Sequence, residues 1–235
     1  MKRQGGASNP AVERRHTMKT ATIASIAFCL LLSGPSEADT KSPSQTIFDG
    51  AEQLRQVLKT KVKKGSGAEK KRKRKVKKLV DGILDYRELA RLTLGPHWKQ
   101  RTDGEKKEFT ELLRDLIEAS YMSTISDNIN FKLKLEEEEI EESGDKASVW
   151  IVASAKNSKG RIVAEDLTFH MFLRDGRWLV YDIEFGDVSI VRHYRAEFNR
   201  KIKKESYAAL IAAMRKKLEE IRAGKVKIGK QPASL

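Results

Sequence analysis

The spacing of apolar residues in this chain changes period twice, and those changes limit the fold more than any composition figure does. From Ile47 to Tyr121 apolar positions recur every three or four residues. From Ile129 to Phe185 they recur every second residue, and from Ile190 to Leu218 the longer period returns. Periods of 3.6 and 2 belong to helices and strands, whose side chains return to one face at those intervals. Helices, then an uninterrupted series of strands, then helices predict an α+β fold. Its expected form is a twisted antiparallel sheet of about four strands with helices packed on one face.

Local signals place the elements. Ile47, Phe48, Ala51, Leu54, Leu58 and Val62 fit a first helix, with Ser44 or Thr46 available as its cap after Pro43. Gly65-Ser66-Gly67 breaks it. A second helix resumes through a run of lysines, with Val76, Leu79, Val80, Ile83 and Leu84 as its apolar stripe. Asp85 and Glu88 have capping-box spacing ahead of a short helix that stops at Gly95-Pro96. Thr102 and Glu105 repeat that spacing before a longer helix bearing Phe109, Leu112, Leu113, Leu116, Ile117 and Tyr121. Strands are expected at Ile129 to Leu135, Ala147 to Ala155, Arg161 to Arg174 and Trp178 to Phe185, and the acidic stretch Glu136 to Glu142 reads as a solvated strand end or loop. Asn157-Ser158-Lys159-Gly160 marks one turn, and Asp175-Gly176 is a tight-hairpin signal. Two helices follow, one with Tyr194 and Phe198, the other starting near Ser206 and ending at Gly224. Residues 225–235 are expected to be a disordered tail.

The N-terminal residues have the form of an export signal. Basic Arg14, Arg15 and Lys19 precede an apolar run from Ala21 to Leu32, and a small-residue cleavage site ends at Ala38. That run is too short for a bilayer core, which needs about 20 residues. Met18 can serve as the true start, and Arg14-Arg15 leaves a twin-arginine signal open beside ordinary unfolded export. Residues 1–38 are therefore read as a cleaved signal and 39–224 as one domain of a soluble, exported protein. Cys29, the only cysteine, lies in the apolar run, so the mature chain has no thiol for disulfides or metals. His97, His170 and His193 have no metal-ligand spacing.

The charge is localised. Twelve of the twenty residues from Lys59 to Lys78 are Lys or Arg against the single acid Glu69, a net +11. Residues 1–38 hold five basic and two acidic side chains, so their removal lowers the chain's +14 to the same +11. The rest of the mature chain is balanced, and the basic character belongs to one segment. Nucleic acid is a poor partner for it, because an exported protein meets little of it and the run has no interleaved aromatics for stacking. An anionic membrane surface fits better, and so does a merely solvated helix face.

Catalytic residues are scarce. Asp166, His170 and Asp182 are the best candidates, but Asp166 and His170 sit roughly 13 Å apart by strand rise, too far for a hydrogen bond. A structural role suits Asp182 better than catalysis. No phosphate-cradling loop, metalloprotease helix or nucleophile elbow is present. No enzyme, metal or resident cofactor is expected.

The block Gly176 to Phe198, GRWLVYDIEFGDVSIVRHYRAEF, carries a recognisable order: Gly176, Trp178, Tyr181-Asp182, Val188-Ser189, Tyr194-Arg195 and Phe198. Asp85-Tyr86, Leu94-Gly95, His97-Trp98, Phe109 and Tyr121 extend it upstream. In this order and spacing the chain resembles the MlaC-like toluene-tolerance family of periplasmic phospholipid-binding proteins, from about Ser44 to Leu218. It departs from that pattern at Gly186-Asp187, where the family has glutamate then glycine, at His193, and in the lysine run.

The resemblance implies an NTF2-like sheet whose N- and C-terminal helices enclose an apolar cavity for phospholipid carried as cargo. Candidate lining residues are Leu94, Trp98, Phe109, Leu112, Leu116, Tyr121, Val149, Ile151, Leu167, Phe169, Met171, Val180 and Val188, each of which also suits ordinary core packing. It further implies a periplasmic shuttle between an outer-membrane lipoprotein complex and an inner-membrane ABC transporter with its MCE-domain subunit, maintaining outer-membrane lipid asymmetry. Arg195 and the lysines would favour anionic head groups or membranes. The alternative is a hopanoid- or isoprenoid-associated accessory protein or enzyme that uses a similar cavity.

Overall fold

Side-chain caps set the helix boundaries. The computed structural model describes residues 41–63, 65–127, 131–156 and 160–225. Among these, six α-helices and five strands follow the order that the period changes imply. They are α1 Pro43–Lys59, α2 Gly67–Asp81, α3 Tyr86–Leu94, α4 Asp103–Asp127, β1 Lys132–Ile140, β2 Lys146–Lys156, β3 Ile162–Arg174, β4 Arg177–Phe185, β5 Val188–Ser189, α5 Ile190–Lys204 and α6 Tyr207–Arg222, with a 3-10 turn at Gly95–Gln100. The export segment with Cys29, the expected strand start at Ile129, the turn residues Asn157 to Lys159 and the tail after Lys225 lie outside the described residues.

Ser66, Asp85, Ser189 and Ser206 each accept an N–H from three residues on, which satisfies an orphan donor of the first helical turn. For α1 that residue is Ser42, not Ser44 or Thr46, because Pro43 takes the first helical position and its missing N–H costs nothing there. Thr102 and Glu105 form a full reciprocal box. The box at Asp85 is only half made. Glu88 turns to Arg91, while the Asp85 N–H donates to the Val180 carbonyl. Helix α2 ends at Asp81, so Ile83 and Leu84 do not continue its stripe. They leave the helix, and Leu84 forms a parallel bridge to Val180 that ties α2 to the sheet. At the far end Gly224, at φ 70°, closes α6 with paired bonds from Gly224 to Ile221 and from Lys225 to Glu220.

The sheet is antiparallel in the order β1-β2-β3-β4-β5, and the two-residue β5 extends the expected meander. Asp175 and Gly176 both have positive φ, 50° and 69°, the conformation of the hairpin turn whose twist matches the strands. The acidic stretch belongs largely to β1, which runs through Glu136–Glu139 to Ile140 as an edge strand. Charged side chains there discourage pairing with another chain's edge.

Two register shifts decide which side chains share a face. One lies in β1 between Leu135 and Glu137; the other makes Tyr181 an extra residue in β4, where Met171 pairs with Val180 but His170 pairs with Asp182. Each shift reverses the alternation beyond it. Apolar rows therefore cross the strands continuously. Ile140, Ala147, Met171 and Val180 form one, and Leu135, Ile151, Leu167, Phe185 and Val188 form another across all five.

Two buried clusters result. One joins α1 to the sheet, with Ile47 over Ala147, Val149, Ile151, Met171, Trp178 and Val180. The other is built from α3, α4, α5 and α6 around Phe109, Tyr194 and Phe198, where Phe109 meets Phe198 edge-on at 5.6 Å and Tyr194 stacks on Phe198 at 5.2 Å. Ile183 packs against both.

Asp182, 6% exposed, joins the sheet to the helical cluster. Its carboxylate accepts the Ser189 hydroxyl at 2.5 Å, the Val191 N–H at 3.0 Å and the Ile183 N–H at 2.8 Å. Burial pushes this carboxyl above its ordinary 3.8, against the lowering effect of those bonds. Replacement by alanine strands three donors, at an expected cost of about 2–4 kcal/mol in urea unfolding. The pH dependence has a definite sign. With the native pKa raised, the unfolded chain ionises first, so the contribution of Asp182 to stability is largest below 3.8 and shrinks as pH rises through the native value. Asp182→Asn does not titrate. Its stability relative to wild type is expected to climb as pH rises from about 4 through the raised native pKa of Asp182, and a flat difference contradicts the assignment.

Candidate functional site

The apolar sheet face is not covered evenly. Met171, Ala147, Val180, Val149 and Ile151 are fully buried, whereas Leu167, Phe169, Ile183, Phe185 and Val188 are half-buried and Leu135 is 40% exposed. The half-buried residues lie on β3, β4 and β5. To one side is α1, fixed at both ends: Glu138 accepts the Ser44 N–H at 2.6 Å in its first turn, and Arg55 donates to the Phe131 carbonyl at 3.1 Å near its last. A carboxylate at a helix N-terminus also complements the helix dipole. To the other side is the helical cluster, which meets the sheet through Ile183 and Phe185. Between the two, Leu167, Phe169, Ile183 and Phe185 form a half-buried apolar floor, a trough in the sense that its flanks are covered and the floor is not. Exposure on this face rises toward the end of the sheet where β1 begins, with Leu135 and Val163 each 40% exposed, which makes that the open end.

The sequence-predicted lining residues divide accordingly. Leu94, Phe109 and Leu116 are fully buried in the helical cluster, with Trp98 and Leu112 packed on it. Val149, Ile151, Met171 and Val180 are fully buried between the sheet and α1, with Phe169 at the margin. Leu167 and Val188 reach the trough through the Ile151–Leu167–Phe185–Val188 row. Tyr121 lies on α4, but its side chain is outside the described residues. The thirteen positions are thus mostly the two cores that hold the trough, and only Leu167, Phe169 and Val188 belong to its floor or rim. Ile183 and Phe185 were missed because strict alternation from Trp178 points them away from the apolar face. The extra residue Tyr181 turns them back. Leu133, half-buried on the same face, was available from the alternation in β1.

The candidate polar residues are committed elsewhere. His170 lies between the Ser148 hydroxyl, 3.0 Å from Nδ1, and Glu184, 3.3 Å from Nε2, and it does not meet Asp166. Glu184 in turn pairs with Arg192 at 3.2 Å. Asp182 is the helix anchor described above. His97 bonds Asn199 at 3.0 Å and His193 sits 3.7 Å from Glu197. Arg195 packs on Gly95, whose φ is 55° and where an added Cβ would come within 3.0 Å of the guanidinium. Among the described residues no group of three His, Cys, Asp or Glu side chains is placed to hold a metal, and no helix is long and apolar enough to cross a membrane. A cleft of about 190 Å³ on α5 and α6 is lined by Glu197, Arg200, Lys201, Lys204, Glu205 and Ala213 and includes none of the floor residues.

The sequence profile of the MlaC protein family matches residues 49–216, most of the chain, from within α1 to within α6. The chain belongs to the MlaC family. Its fold is similar to that of a phospholipid-binding protein from Ralstonia solanacearum, solved in complex with a phospholipid, with a TM-score of 0.64 and 16% identity over 77% of this chain and 99% of that one. No curated protein matches the sequence. The MlaC match takes in Asp85, Gly95, Asp182, Ser189 and Arg195, which cap helices, turn the chain or anchor α5, and Phe109, Trp178, Tyr194 and Phe198, which fill the two cores.

Ile151 and Leu167 face each other across β2 and β3, so they separate core from site. Ile151→Ala is expected to cost about 2–4 kcal/mol in urea unfolding, as buried truncations do, and Leu167→Ala under about 1.5. Equal losses would place Leu167 in the core.

Proposed function

We propose that this MlaC-family protein is a periplasmic phospholipid carrier. It holds acyl chain in the trough with the head group at the open end, and it shuttles lipid between an outer-membrane lipoprotein complex and an inner-membrane ABC transporter with its MCE-domain subunit, maintaining outer-membrane lipid asymmetry. The observation that carries this reading is the half-covered floor of Leu167, Phe169, Ile183 and Phe185 between two well-packed clusters. Apolar surface left at water forgoes roughly 25 cal/mol per Å², which an apolar ligand in the trough recovers. The size also fits. From Val163 to Phe169 the face extends about 20 Å along β3 at strand rise, with Glu165 its one charged position, and an acyl chain spans about 15 Å, half of a ~30 Å hydrocarbon core. Family membership and the phospholipid bound in the related Ralstonia structure support the choice of ligand.

A sixteen-carbon tail needs on the order of 12 kcal/mol of shelter at ~0.8 per CH₂, and such a site works by shape and apolarity. It requires no acid, base or nucleophile. The commitment of His170 and Asp182 to structural bonds supports carriage over turnover.

Mass spectrometry of the protein purified from cells tests the reading, with bound phospholipid as the expected result. Leu167→Glu puts a carboxylate on the floor, which costs heavily unless it is paired. It is expected to lower bound lipid at least tenfold while leaving the melting temperature near wild type. A wild-type chain that carries no phospholipid, even after exchange against vesicles, contradicts the proposal.

A further inference from the structure

The lysine-rich helix α2 is amphipathic in an unusual sense. Val76, Leu79 and Val80 pack inward, Val76 being 1% exposed, and at 100° per residue the opposite side carries Lys71, Arg74 and Lys78, flanked by Lys70 and Lys75. All five are exposed. Lys73 pairs with Glu69, Lys77 with Glu118, and Arg72 donates to the Thr60 carbonyl, but among the described residues none of the five outer cations has an acidic partner. Exposed Lys59, Lys61 and Lys63 continue the field back to the end of α1. Charge this dense and uncompensated repels itself and has no use in holding the fold, so it needs an external anion.

Its position relates it to the trough. Arg55, four residues before Lys59, is fixed to Phe131 just ahead of β1, which places the start of the basic segment at the open end. Helix α2 then runs back about 22 Å at helical rise to Leu84, which bridges to Val180 at the covered end of the sheet. Helix α2 is held by its packing on α1, by the Leu84–Val180 bridge and by the Lys77–Glu118 ion pair to α4.

We propose that the outer face of α2, with Lys59, Lys61 and Lys63, seats the protein on an anionic lipid bilayer with the open end of the trough at the leaflet. The proposal rests on the carrier reading for its purpose but not for its test. A bilayer suits this face because phosphate-bearing head groups present anions over a plane, as the cations are spread over one side of a straight helix. Nucleic acid suits it less, since no aromatic side chain lies among the cations for a base to stack on.

Flotation of the purified full chain with vesicles provides the test. Binding is expected to vesicles of phosphatidylcholine with phosphatidylglycerol but not to phosphatidylcholine alone, and to fade as salt rises. Each basic residue near an anionic surface contributes roughly fivefold in partition, so K71Q/R74Q/K78Q is expected to lose about a hundredfold. Its melting temperature and co-purified lipid should stay at wild-type levels, since these side chains are exposed and lie on the side of α2 opposite its packed residues. Equal binding to both vesicle types, wild-type binding by the triple variant, or tighter binding to duplex DNA than to anionic vesicles at the same salt overturns the proposal. If vesicle binding behaves as expected while no lipid is ever carried, the carrier reading fails and this one stands.

Discussion

One buried carboxylate fixes how the helical half of this molecule meets its sheet. Asp182 receives hydrogen bonds from its own strand, from the Ser189 cap and from the first turn of α5. Those bonds hold Tyr194 and Phe198 where they can pack against Phe109 and the other helices. Burial opposes the charge on Asp182, and its raised pKa records that opposition. The position tolerates this because every lone donor around it would otherwise be stranded in the interior. A second carboxylate, Glu138, does the corresponding work for α1 from the edge strand. The two sides of the trough are thus held apart by polar anchors, and the apolar residues between them remain short of full cover.

Much of this was legible in the sequence, for physical reasons that differ by element. Helices are marked by their own first residues, as at Asp85, Thr102 and Ser206, since capping is a local bond, whereas the α1 cap lies at Ser42, ahead of the expected Ser44 or Thr46. The hairpin at Asp175-Gly176 is equally local, because positive φ at both positions selects those residue types. The site was less legible. Strand alternation identified Val149, Ile151 and Leu167, but it could not anticipate that Tyr181 is an extra residue, and so it turned Ile183 and Phe185 the wrong way. A bulge has no signature in periodicity, since it is a relation between two strands. Cover is likewise a tertiary property. Nothing in the residue types distinguishes buried Met171 from half-buried Phe169 one row away.

The chemistry of the fold accords with its economy of polar groups. The polar residues that looked available for catalysis instead cap, anchor and cross-link. His170 links Ser148 to Glu184 on one side of the sheet, and the side facing the helices carries the apolar rows. The basic field lies on the outer face of α2, and the carboxylates that share the apolar face include Glu138, bound to the first turn of α1, and Glu165 at the rim beyond Leu167. A protein that moves an insoluble molecule through water benefits from an uncharged floor, because charge on it would favour water over acyl chain. Two departures from the family pattern, the Gly186-Asp187 turn and the lysine run, lie on the outside of the molecule, while His193 is half-buried beside Glu197. Gly186 and Asp187 form an exposed turn, with Gly186 at φ 55°, while the neighbouring Val188-Ser189 pair keeps its place beside Phe185 and Glu184.

The claim on which this account depends is that the half-covered residues between α1 and the helical cluster contact the acyl chain. A phospholipid carrying a photoactivatable group near the end of one acyl chain, loaded by exchange and irradiated, reports that contact directly by peptide mass spectrometry. The account predicts labels on Leu167, Phe169, Ile183, Phe185 or Val188. Labels confined to the basic face of α2, to the cleft beside Arg200 and Lys204, or to the opposite side of the sheet around Phe172 and Tyr181 would contradict it.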